Sequence, residues 1–279
     1  PKFPIRITKE LARLIAHTFA DGCLSINKKG HAHLYYYNTS QVLIDQFKKD
    51  INYTFGNFKV YESINKGVPF LSLPAPIALI FLSKIKKFGS KVCRIPNFIF
   101  QSSKQIKSAF LKAIFDDESS VSWRRNNRRI ELCLANKGFL TDIQRLLSEI
   151  NINTTKIYYK NQRGFNSYYF YIRNFHNIQK YHELIGFDHT QKSRKLKQII
   201  RNPGRKSYAK GETEKLILEK LAKRNLNSNK LAKLLNRDNS TINFWLNKLK
   251  KKHKIEHIKI RKLKYGREII WGLKWSAKN

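Results

Sequence analysis

The sequence predicts an α+β protein with two pseudo-symmetric lobes, each in the order αββαββα, followed by a smaller domain of three helices and a hairpin. Two observations predict the lobes: helix-like segments repeat at an offset of 97 positions, and the same order of strand and helix patterns follows each segment. A change to lysine-rich helical patterning after residue 203 predicts the smaller domain. The predicted boundaries are 1–100, 101–203 and 204–279.

Each copy of the repeat ends in an acid. The copies are residues 11–24 and 108–121, so that Asp21 corresponds to Glu118. Both copies have apolar residues at helical spacing and lead into a strand. A carboxylate in the last turn of a helix faces the negative end of the helix dipole and is disfavoured there. Two such acids therefore predict a shared task, and a divalent cation between them would remove the electrostatic cost.

Small residues occupy one face of both repeated helices. Ala12, Ala16 and Ala20 lie four apart in the first copy, as do Ala109 and Ala113 in the second. Such spacing lets helix axes approach closely, so we predict that the two helices pack together and form the interface between the lobes. The alternative is that the alanines only favour helix and each acid only marks a helix stop.

The remaining elements of the lobes follow from alternation, turn residues and caps. In the first lobe we predict strands at 23–27, 31–38, 58–61 and 69–73, with helices from Ser40 to about residue 51 and at 76–87. In the second lobe we predict a hairpin of 121–124 and 130–134 around 126–127, a helix at 139–150, strands at 156–159 and 168–172, and a helix near 177–184.

The sequence of the C-terminal part predicts a winged helix-turn-helix. Residues 204–211 have the composition of a linker, and three helical segments follow at 212–224, 229–235 and 240–251. Strands at 255–260 and 268–273 then flank a basic hairpin tip, which is the element order of a winged helix. From Arg205 onward there are 22 basic and 6 acidic residues. The alternative is a lysine-rich domain that binds a protein.

The composition indicates a polyanionic partner. The formal net charge is +37 on 279 residues, far more than solubility requires. The longest apolar run, residues 70–82, contains two prolines and is too short to span a bilayer, so nucleic acid is favoured over membrane. Three widely spaced cysteines and no recognisable signal peptide predict reduced thiols in an intracellular protein of the cytoplasm, nucleoid or an organelle.

The repeated segments resemble the LAGLIDADG homing endonucleases in their monomeric two-repeat form, over about the first 200 residues. Residues 94–99 are similar to the segment before the second motif helix, and residues 185–196 to the end of such a lobe. The resemblance implies a saddle of two antiparallel four-stranded sheets that read the major groove of DNA. It also implies a monomeric, site-specific double-strand DNA endonuclease that depends on Mg²⁺ or Mn²⁺ and cuts across the minor groove.

The resemblance assigns catalytic residues. Asp21 and Glu118 are the catalytic acids and bind the metal, and Lys137 is a third catalytic residue that polarises water or stabilises charge. Two departures from the family pattern stand out. Ser119 replaces the glycine after the second acid, and Thr39 stands where the first lobe would carry its own lysine. Loss of that lysine would make cleavage asymmetric, or mark a protein that binds DNA without cutting it.

Candidate DNA-contacting residues lie on the predicted strands and in the C-terminal domain. They are Asn27, Lys28, His31, His33, Tyr35 and Tyr37 in the first lobe, Arg124, Arg125, Arg128, Arg129, Glu131 and Gln162 in the second lobe, and Lys248, Lys251, Lys262, Lys264 and Arg267 in the C-terminal domain. Arginine pairs well with guanine, and asparagine or glutamine with adenine. Strand register decides which side chains face the groove, because a slip of one residue reverses the faces.

Three functions remain open at this point. The first is the active endonuclease, and the second is a DNA-binding regulator that has lost catalysis. The third, implied by the resemblance, is an intron maturase that binds structured RNA. Retention of both acids favours the nuclease, because unused carboxylates facing DNA would repel phosphate. We expect a freestanding protein rather than an intein, because Pro1 is not a nucleophilic cysteine or serine.

Overall fold

The computed structural model describes residues 6–85, 88–89, 91–124, 127–162, 164–202, 211–262 and 267–274; for Arg124 and Gln162 it describes the backbone only. The chain divides into two compact units, Pro1–Asn202 and Pro203–Asn279. The predicted linker falls almost entirely outside the described residues.

The first unit begins with one αββαββα series. Its elements are α1 (Lys9–Ala20), β1 (Gly22–Ile26), β2 (Ala32–Tyr37), α2 (Gln41–Phe55), β3 (Tyr61–Asn65), β4 (Val68–Leu73) and α3 (Ala75–Lys84). Thr8 caps α1 by accepting a hydrogen bond from the backbone N–H of Leu11.

The same series then recurs, after a single helical turn. The elements are α4 (Asn97–Phe100), α5 (Lys104–Glu118), β5 (Ser119–Arg124), β6 (Asn127–Leu134), α6 (Lys137–Glu149), β7 (Tyr158–Gln162), β8 (Phe165–Ile172), α7 (Phe175–Leu184) and α8 (Thr190–Arg201). The α+β class and the two series predicted from the sequence are confirmed.

Each series forms one antiparallel four-stranded sheet. The strand orders are β1-β2-β4-β3 and β5-β6-β8-β7, so the sheets have the same topology. The strand predicted at residues 58–61 is wrong, because β3 starts at Tyr61. Lys66 and Gly67 both have positive φ in the β3–β4 turn, and this tight turn sets the pairing from Asn65↔Val68 outward to Tyr61↔Ser72. Similarly, β7 starts at Tyr158 rather than at Lys156.

One hydrophobic core runs through both series. Leu14 and Ala16 of α1 and Leu111 and Ala113 of α5 are buried in it, because the two helices pack against each other. The core therefore fixes the position of both helix ends that carry the predicted acids. Among the described helices, none is long and apolar enough to cross a membrane.

The second unit has its own core. Its elements are α9 (Glu212–Lys223), β9 (Leu226–Asn227), α10 (Ser228–Leu234), α11 (Asn239–Lys251), β10 (Ile255–Lys262) and β11 (Arg267–Leu273). The helices and hairpin predicted from the sequence are present, and the short strand β9, which the sequence did not indicate, pairs with β11. Ile217, Ile242 and Trp271 are among the buried residues. The interpretation of this unit as a DNA-binding winged helix remains a prediction.

Candidate active site

Helices α1 and α5 meet through small side chains. Ala12 and Ala16 are fully buried, and Ala109 and Ala113 are 7% and 1% exposed. The close packing predicted from their spacing is therefore present. It places the C-terminal ends of the two helices side by side, with Asp21 as the residue that ends α1.

The two helices end differently, which accounts for the missing glycine. A Cβ atom on Gly22 would lie 2.5 Å from the backbone Cα and O of Thr18, so only glycine fits after Asp21. Helix α5 instead includes Glu118 as its last residue, and Ser119 already has extended backbone angles. The Ser119 hydroxyl donates to the carbonyl oxygen of Phe115 at 2.5 Å. The serine thus fits the second lobe without strain.

Asp21 and Glu118 share one electrostatic environment. Burial, followed by the charge of Asp117, raises the pKa of Asp21 to about 6. Burial, followed by the charges of Asp21 and Asp117, raises the pKa of Glu118 to about 7. Both carboxyl groups are half-buried. The charge of Asp117 disfavours ionisation of both acids, and the charge of Asp21 disfavours ionisation of Glu118, so a cation bound between them would be strongly attracted.

A third carboxylate lies behind this pair. The Asp117 side chain is 0% exposed, and its Oδ2 atom is 2.8 Å from Nδ1 of His17. Its Oδ1 atom accepts hydrogen bonds from the Tyr36 hydroxyl at 3.1 Å and from Nδ2 of Asn38 at 3.2 Å. Asn38 also donates to Oδ2 of Asp21 at 3.1 Å. Asp117 therefore ties the second lobe to α1 and β2 of the first and leaves the open position to Glu118.

The ion pair of His17 is buried. Burial opposes the protonated imidazole, but the charge and hydrogen bond of Asp117 outweigh it and raise the pKa of His17. The ring also packs against Tyr36 and Phe47, at centroid distances of 5.1 and 5.9 Å. Because this charged pair is enclosed by aromatic rings, it holds α1 and α5 in one relative position.

The hydrogen bond to Asp21 has no counterpart in the second lobe. Gly22 pairs with Tyr36 and Ser119 pairs with Leu132, so the residue that corresponds to Asn38 is Leu134. Leucine cannot donate a hydrogen bond, and in the described part of the chain Glu118 accepts none. The two acids are therefore held unequally.

A lysine that the sequence did not indicate, Lys192, places a positive charge at this site. Its Nζ atom donates to the carbonyl oxygens of Phe115 at 3.1 Å, Asp117 at 3.3 Å and also Asp116, at the C-terminal end of α5. Burial lowers the pKa of Lys192, against the charges of the surrounding acids. Its charge in turn counteracts the raised pKa of both Asp21 and Glu118. The 56 lysines and arginines of this chain offered no signal that would single it out.

Asp116 positions the helix that carries Lys192. Its carboxylate accepts hydrogen bonds from the backbone N–H groups of Asp188, at 3.1 Å to each oxygen, and of His189 at 3.0 Å, just before α8. An acid at a helix N-terminus is favourable both for the free N–H groups and for the dipole. The burial of this carboxyl group raises its pKa to about 7.

Lys137 stands apart from these contacts. It is the first residue of α6 and is exposed, and its amine makes no hydrogen bond or ion pair within the described residues. The preceding Asn136 is buried, caps α6 through Phe139 and donates to the carbonyl oxygen of Cys93 at 2.9 Å. The catalytic role of Lys137 remains a prediction. The expectation that Thr39 stands at the corresponding position of the first lobe is wrong, because α2 begins at Gln41 as α6 begins at Lys137.

Strand register decides which first-lobe candidates face outward. Leu34 and Tyr36 are buried, so His33, Tyr35 and Tyr37 share the opposite, open face of the sheet. Lys28 and His31 are exposed in the β1–β2 turn. Asn27 shapes that turn, because its Oδ1 atom accepts hydrogen bonds from the backbone N–H groups of Lys29 and His31.

Register also divides the second-lobe candidates. Arg129 and Glu131 lie on the open face, form an ion pair at 3.0 Å, and the guanidinium lies 4.1 Å from the Tyr171 ring centre. Arg128 alternates to the other face, opposite Trp123. The backbones of Arg124 and Gln162 lie in β5 and β7, whereas Arg125 lies outside the described residues.

The C-terminal candidates lie on two elements. Lys248 and Lys251 are exposed on α11. Lys262 pairs with Arg267 at the far end of the β10–β11 hairpin. Lys264 lies outside the described residues.

The site offers two carboxylates to a metal. Among the described residues, no group of three or more His, Cys, Asp or Glu side chains is arranged to hold a metal ion. Mg²⁺ is commonly bound by one or two carboxylates together with water and substrate phosphates. The hard oxygens of Asp21 and Glu118 fit such an ion, since the first accepts one hydrogen bond and the second accepts none within the described part.

A family model described as a LAGLIDADG-like domain matches residues 105–186, which lie in the second αββαββα series. Solved structures of the homing endonuclease I-DmoI are similar to part of this chain. One from a study of mesophilic variants has a TM-score of 0.50 and 15% identity, covering 64% of this chain and 96% of that chain. I-DmoI in complex with DNA and Ca has the same score and identity, covering 64% and 90%. At this identity, the likeness shows the fold.

Two curated proteins also match. The DNA polymerase of Thermococcus sp. (strain GE8) is 29% identical over 136 residues, which are 46% of this chain and 8% of the polymerase. The replication factor C small subunit of Methanocaldococcus jannaschii is 26% identical over 207 residues, which are 70% of this chain and 10% of that protein. The chain thus spans only about a tenth of the length of these relatives.

Proposed function

We propose that this LAGLIDADG-family chain is a site-specific double-strand DNA endonuclease of the homing type, which hydrolyses phosphodiester bonds across the minor groove. The observation that carries the proposal is the pairing of Asp21 and Glu118 at the adjacent ends of two packed helices. Burial, together with the charge of Asp117, raises the pKa of both acids, and the charge of Asp21 raises that of Glu118 further. Such an arrangement is costly without a cation and suits one that is also bound by a DNA phosphate.

Asp21, Glu118 and the residues around them would have different roles. Asp21 and Glu118 would hold Mg²⁺ or Mn²⁺, which when bound supplies an activated water and stabilises the leaving oxygen. Asn38 orients Asp21 through its hydrogen bond. Lys192 offsets the negative charge of the acids and holds the end of α5. Asp117 is enclosed by His17, Tyr36 and Asn38, so its charge lies behind Asp21 and Glu118 rather than beside the DNA phosphate.

The open sheet faces support recognition of DNA. Tyr35 and Tyr37 in the first lobe, and Arg129 and Tyr171 in the second, offer ring faces, hydroxyl groups and a guanidinium for base edges and phosphates. The net charge of +37 supplies the attraction to a polyanion.

The relatives support the homing type. The matching segment makes up 8% of a protein named DNA polymerase and 10% of a protein named replication factor C small subunit. A short segment shared by proteins with such different names is expected of a mobile element inserted into unrelated hosts. A homing endonuclease is the activity that would spread such an element.

A second candidate is a DNA-binding regulator that does not cut. It is favoured by the strongly basic second unit, which has 22 basic and 6 acidic residues from Arg205 onward. A third candidate is an RNA-binding maturase. It is favoured by the stacking of Tyr158, Tyr169 and Tyr171 on the open face of the second sheet, because aromatic rings on a sheet can stack unpaired bases.

The test is cleavage of a randomised duplex DNA library with Mg²⁺, followed by sequencing of the new ends. The wild type would be compared with Asp21→Asn and Glu118→Gln. Asp45→Asn is the matched control, since Asp45 is an exposed acid on α2 that contacts Gln41. We expect defined cuts from the wild type and the control, and none from the two site variants. Bound but uncut DNA with all four proteins would support the regulator, and preference for structured RNA at equal salt would support the maturase.

A further inference from the structure

One face of α11 in the second unit is exposed along the whole helix. Ile242, Leu246 and Leu249 are buried and fix the orientation of the helix against its own core. The stripe on the opposite side, here called the α11 stripe, consists of Ser240, Asn243, Phe244, Asn247, Lys248 and Lys251.

The α11 stripe carries an unusual combination of groups. Phe244 is 61% exposed, and its ring packs edge-to-face against Trp245 with 5.7 Å between the ring centroids. The amides of Asn243 and Asn247 flank it and make no hydrogen bond within the described residues. A large exposed ring between two free amides serves neither the core nor the capping of the helix. It does provide contacts for a partner that has both hydrogen-bonding and apolar edges.

Charge complementarity identifies that partner. Lys248, Lys250 and Lys251 occupy the last turn of α11. From Arg205 onward the chain has 22 basic and 6 acidic residues. The stripe therefore has neutral amides and a ring towards its N-terminal end and cations at its C-terminal end. A DNA duplex presents the matching pattern, since its base edges are neutral and its backbone is anionic.

We propose that α11 enters the major groove and reads adenine·thymine pairs. Asparagine forms two hydrogen bonds with N6 and N7 of adenine, and a phenylalanine ring can contact the thymine methyl group. Asn243 and Phe244 lie in the N-terminal half of α11, the part that contacts base edges when such a helix docks in the groove, and Asn247 follows one turn later on the same face. Lys248 and Lys251 then bind phosphates.

This inference rests on the proposed DNA binding and extends it. It predicts that the recognised site has two parts: a longer segment bound by the sheets of the first unit, and a short A·T-containing segment read by α11. Asn243, Phe244 and Asn247 would therefore be specificity-determining residues, outside the candidate active site.

The experiment selects bound duplexes from a random library with the full chain in EDTA, where no cutting occurs, and sequences them. The variants are Asn243→Ala, Phe244→Ala and Asn247→Ala. Leu234→Ala is the matched control, because it shortens another apolar side chain of the second unit that is 46% exposed but lies on α10. Affinities are then measured on duplexes that carry 7-deazaadenine in the short segment, since this base lacks the N7 acceptor.

We expect the wild type and Leu234→Ala to enrich two segments, and the three stripe variants to lose enrichment of the short one. The 7-deazaadenine should weaken wild-type binding about five- to one-hundred-fold, and weaken binding of the matching asparagine variant much less. One enriched segment only, or a G·C-rich short segment, would overturn the inference and leave the proposed nuclease standing. Random bound sequences with no enriched segment would overturn both.

Discussion

The Nδ1 atom of His17 lies 2.8 Å from the Oδ2 atom of Asp117. Helices α1 and α5 are therefore joined by a buried ion pair as well as by the packing of their alanine side chains. The pair lies one residue before Glu118 and has Asn38 between it and Asp21. The relative position of the two acids therefore depends on side chains that never need to touch DNA.

Removal of Asp117 should be strongly destabilising. The variant Asp117→Ala leaves His17 buried without its anion and removes the acceptor of Tyr36 and Asn38. Breaking a buried ion pair from one side costs about 3–5 kcal/mol of unfolding free energy, which urea unfolding would measure. Asp45→Ala, at an exposed acid, is the control and should change stability by less than about 0.5 kcal/mol. Similar small losses for both would contradict the role assigned to the pair.

The metal-free protein should lose stability as the pH rises. The folded pKa values of Asp21 and Glu118 are about 6 and about 7, above the ordinary 3.8 and 4.5. Their contribution to stability is therefore greatest when both are protonated and is lost as the pH rises through the two folded values. The raised pKa of His17 acts in the same direction, because its contribution is full below 6.5 and is lost above that. Urea midpoints in EDTA would show the trend, and the double variant Asp21→Asn, Glu118→Gln should make it shallower, with the part due to His17 and Asp116 remaining.

A divalent cation should reverse that loss. Mg²⁺ or Mn²⁺ needs ionised carboxylates, so it should raise the melting temperature more at about pH 8 than at about pH 6. The measurement needs no DNA and no cleavage. The double variant should show no metal-dependent stabilisation at either pH. An equal rise for the wild type and the double variant would argue that the ion binds elsewhere.

Three consecutive acids show what the sequence could and could not reveal. The repeat singles out Glu118, but it gives no role to Asp116 or Asp117. Successive residues of a helix point about 100° apart, so these three side chains enter three different environments. Asp116 caps α8, Asp117 joins the lobes and Glu118 faces the site. The partners that decide this come from residues 17 to 189, which no local pattern connects.

Register limited the prediction of the first sheet. The run from Leu34 to Tyr37 is aromatic at three successive positions, so alternation of polar and apolar residues could not orient it. In the structure Tyr36 is the buried one: its ring stacks on Phe47, and its hydroxyl donates a hydrogen bond to Asp117. The offset of the repeat also changes from 97 at the acids to 96 at the second strand, where Tyr36 corresponds to Leu132. A constant offset of 97 would make Asp142 the counterpart of Asp45, and the two differ: Asp142 binds Arg94 at 2.6 Å, whereas Asp45 is exposed.

Loss of the Lys192 charge should impair both folding and cleavage. The variant Lys192→Met removes hydrogen bonds from a charged donor to the end of α5, at a cost of about 1–3 kcal/mol. It also removes the positive charge that counteracts the raised pKa of Asp21 and Glu118, so the pH at which cleavage reaches half its maximum should rise. Lys197→Met, at an exposed position on the same helix, is the control. A stability loss without any shift of the pH profile would reduce Lys192 to a helix-capping role.

Loss of Asn38 should slow cleavage of one strand more than of the other, because Asn38 donates a hydrogen bond to Asp21 and none to Glu118. Asn38 holds Asp21, whereas the corresponding Leu134 gives Glu118 no hydrogen bond. The variant Asn38→Leu makes the first lobe resemble the second at this position and frees the Asp21 carboxylate. One strand of a supercoiled plasmid that carries the target should then be cut more slowly, by about tenfold for one lost hydrogen bond to a charged group, so nicked circles accumulate. Asn38→Asp places a second carboxylate beside Asp21 and should slow the same strand further. Equal slowing of both strands in Asn38→Leu would show that Asn38 supports the lobe interface through Asp117 rather than orienting Asp21.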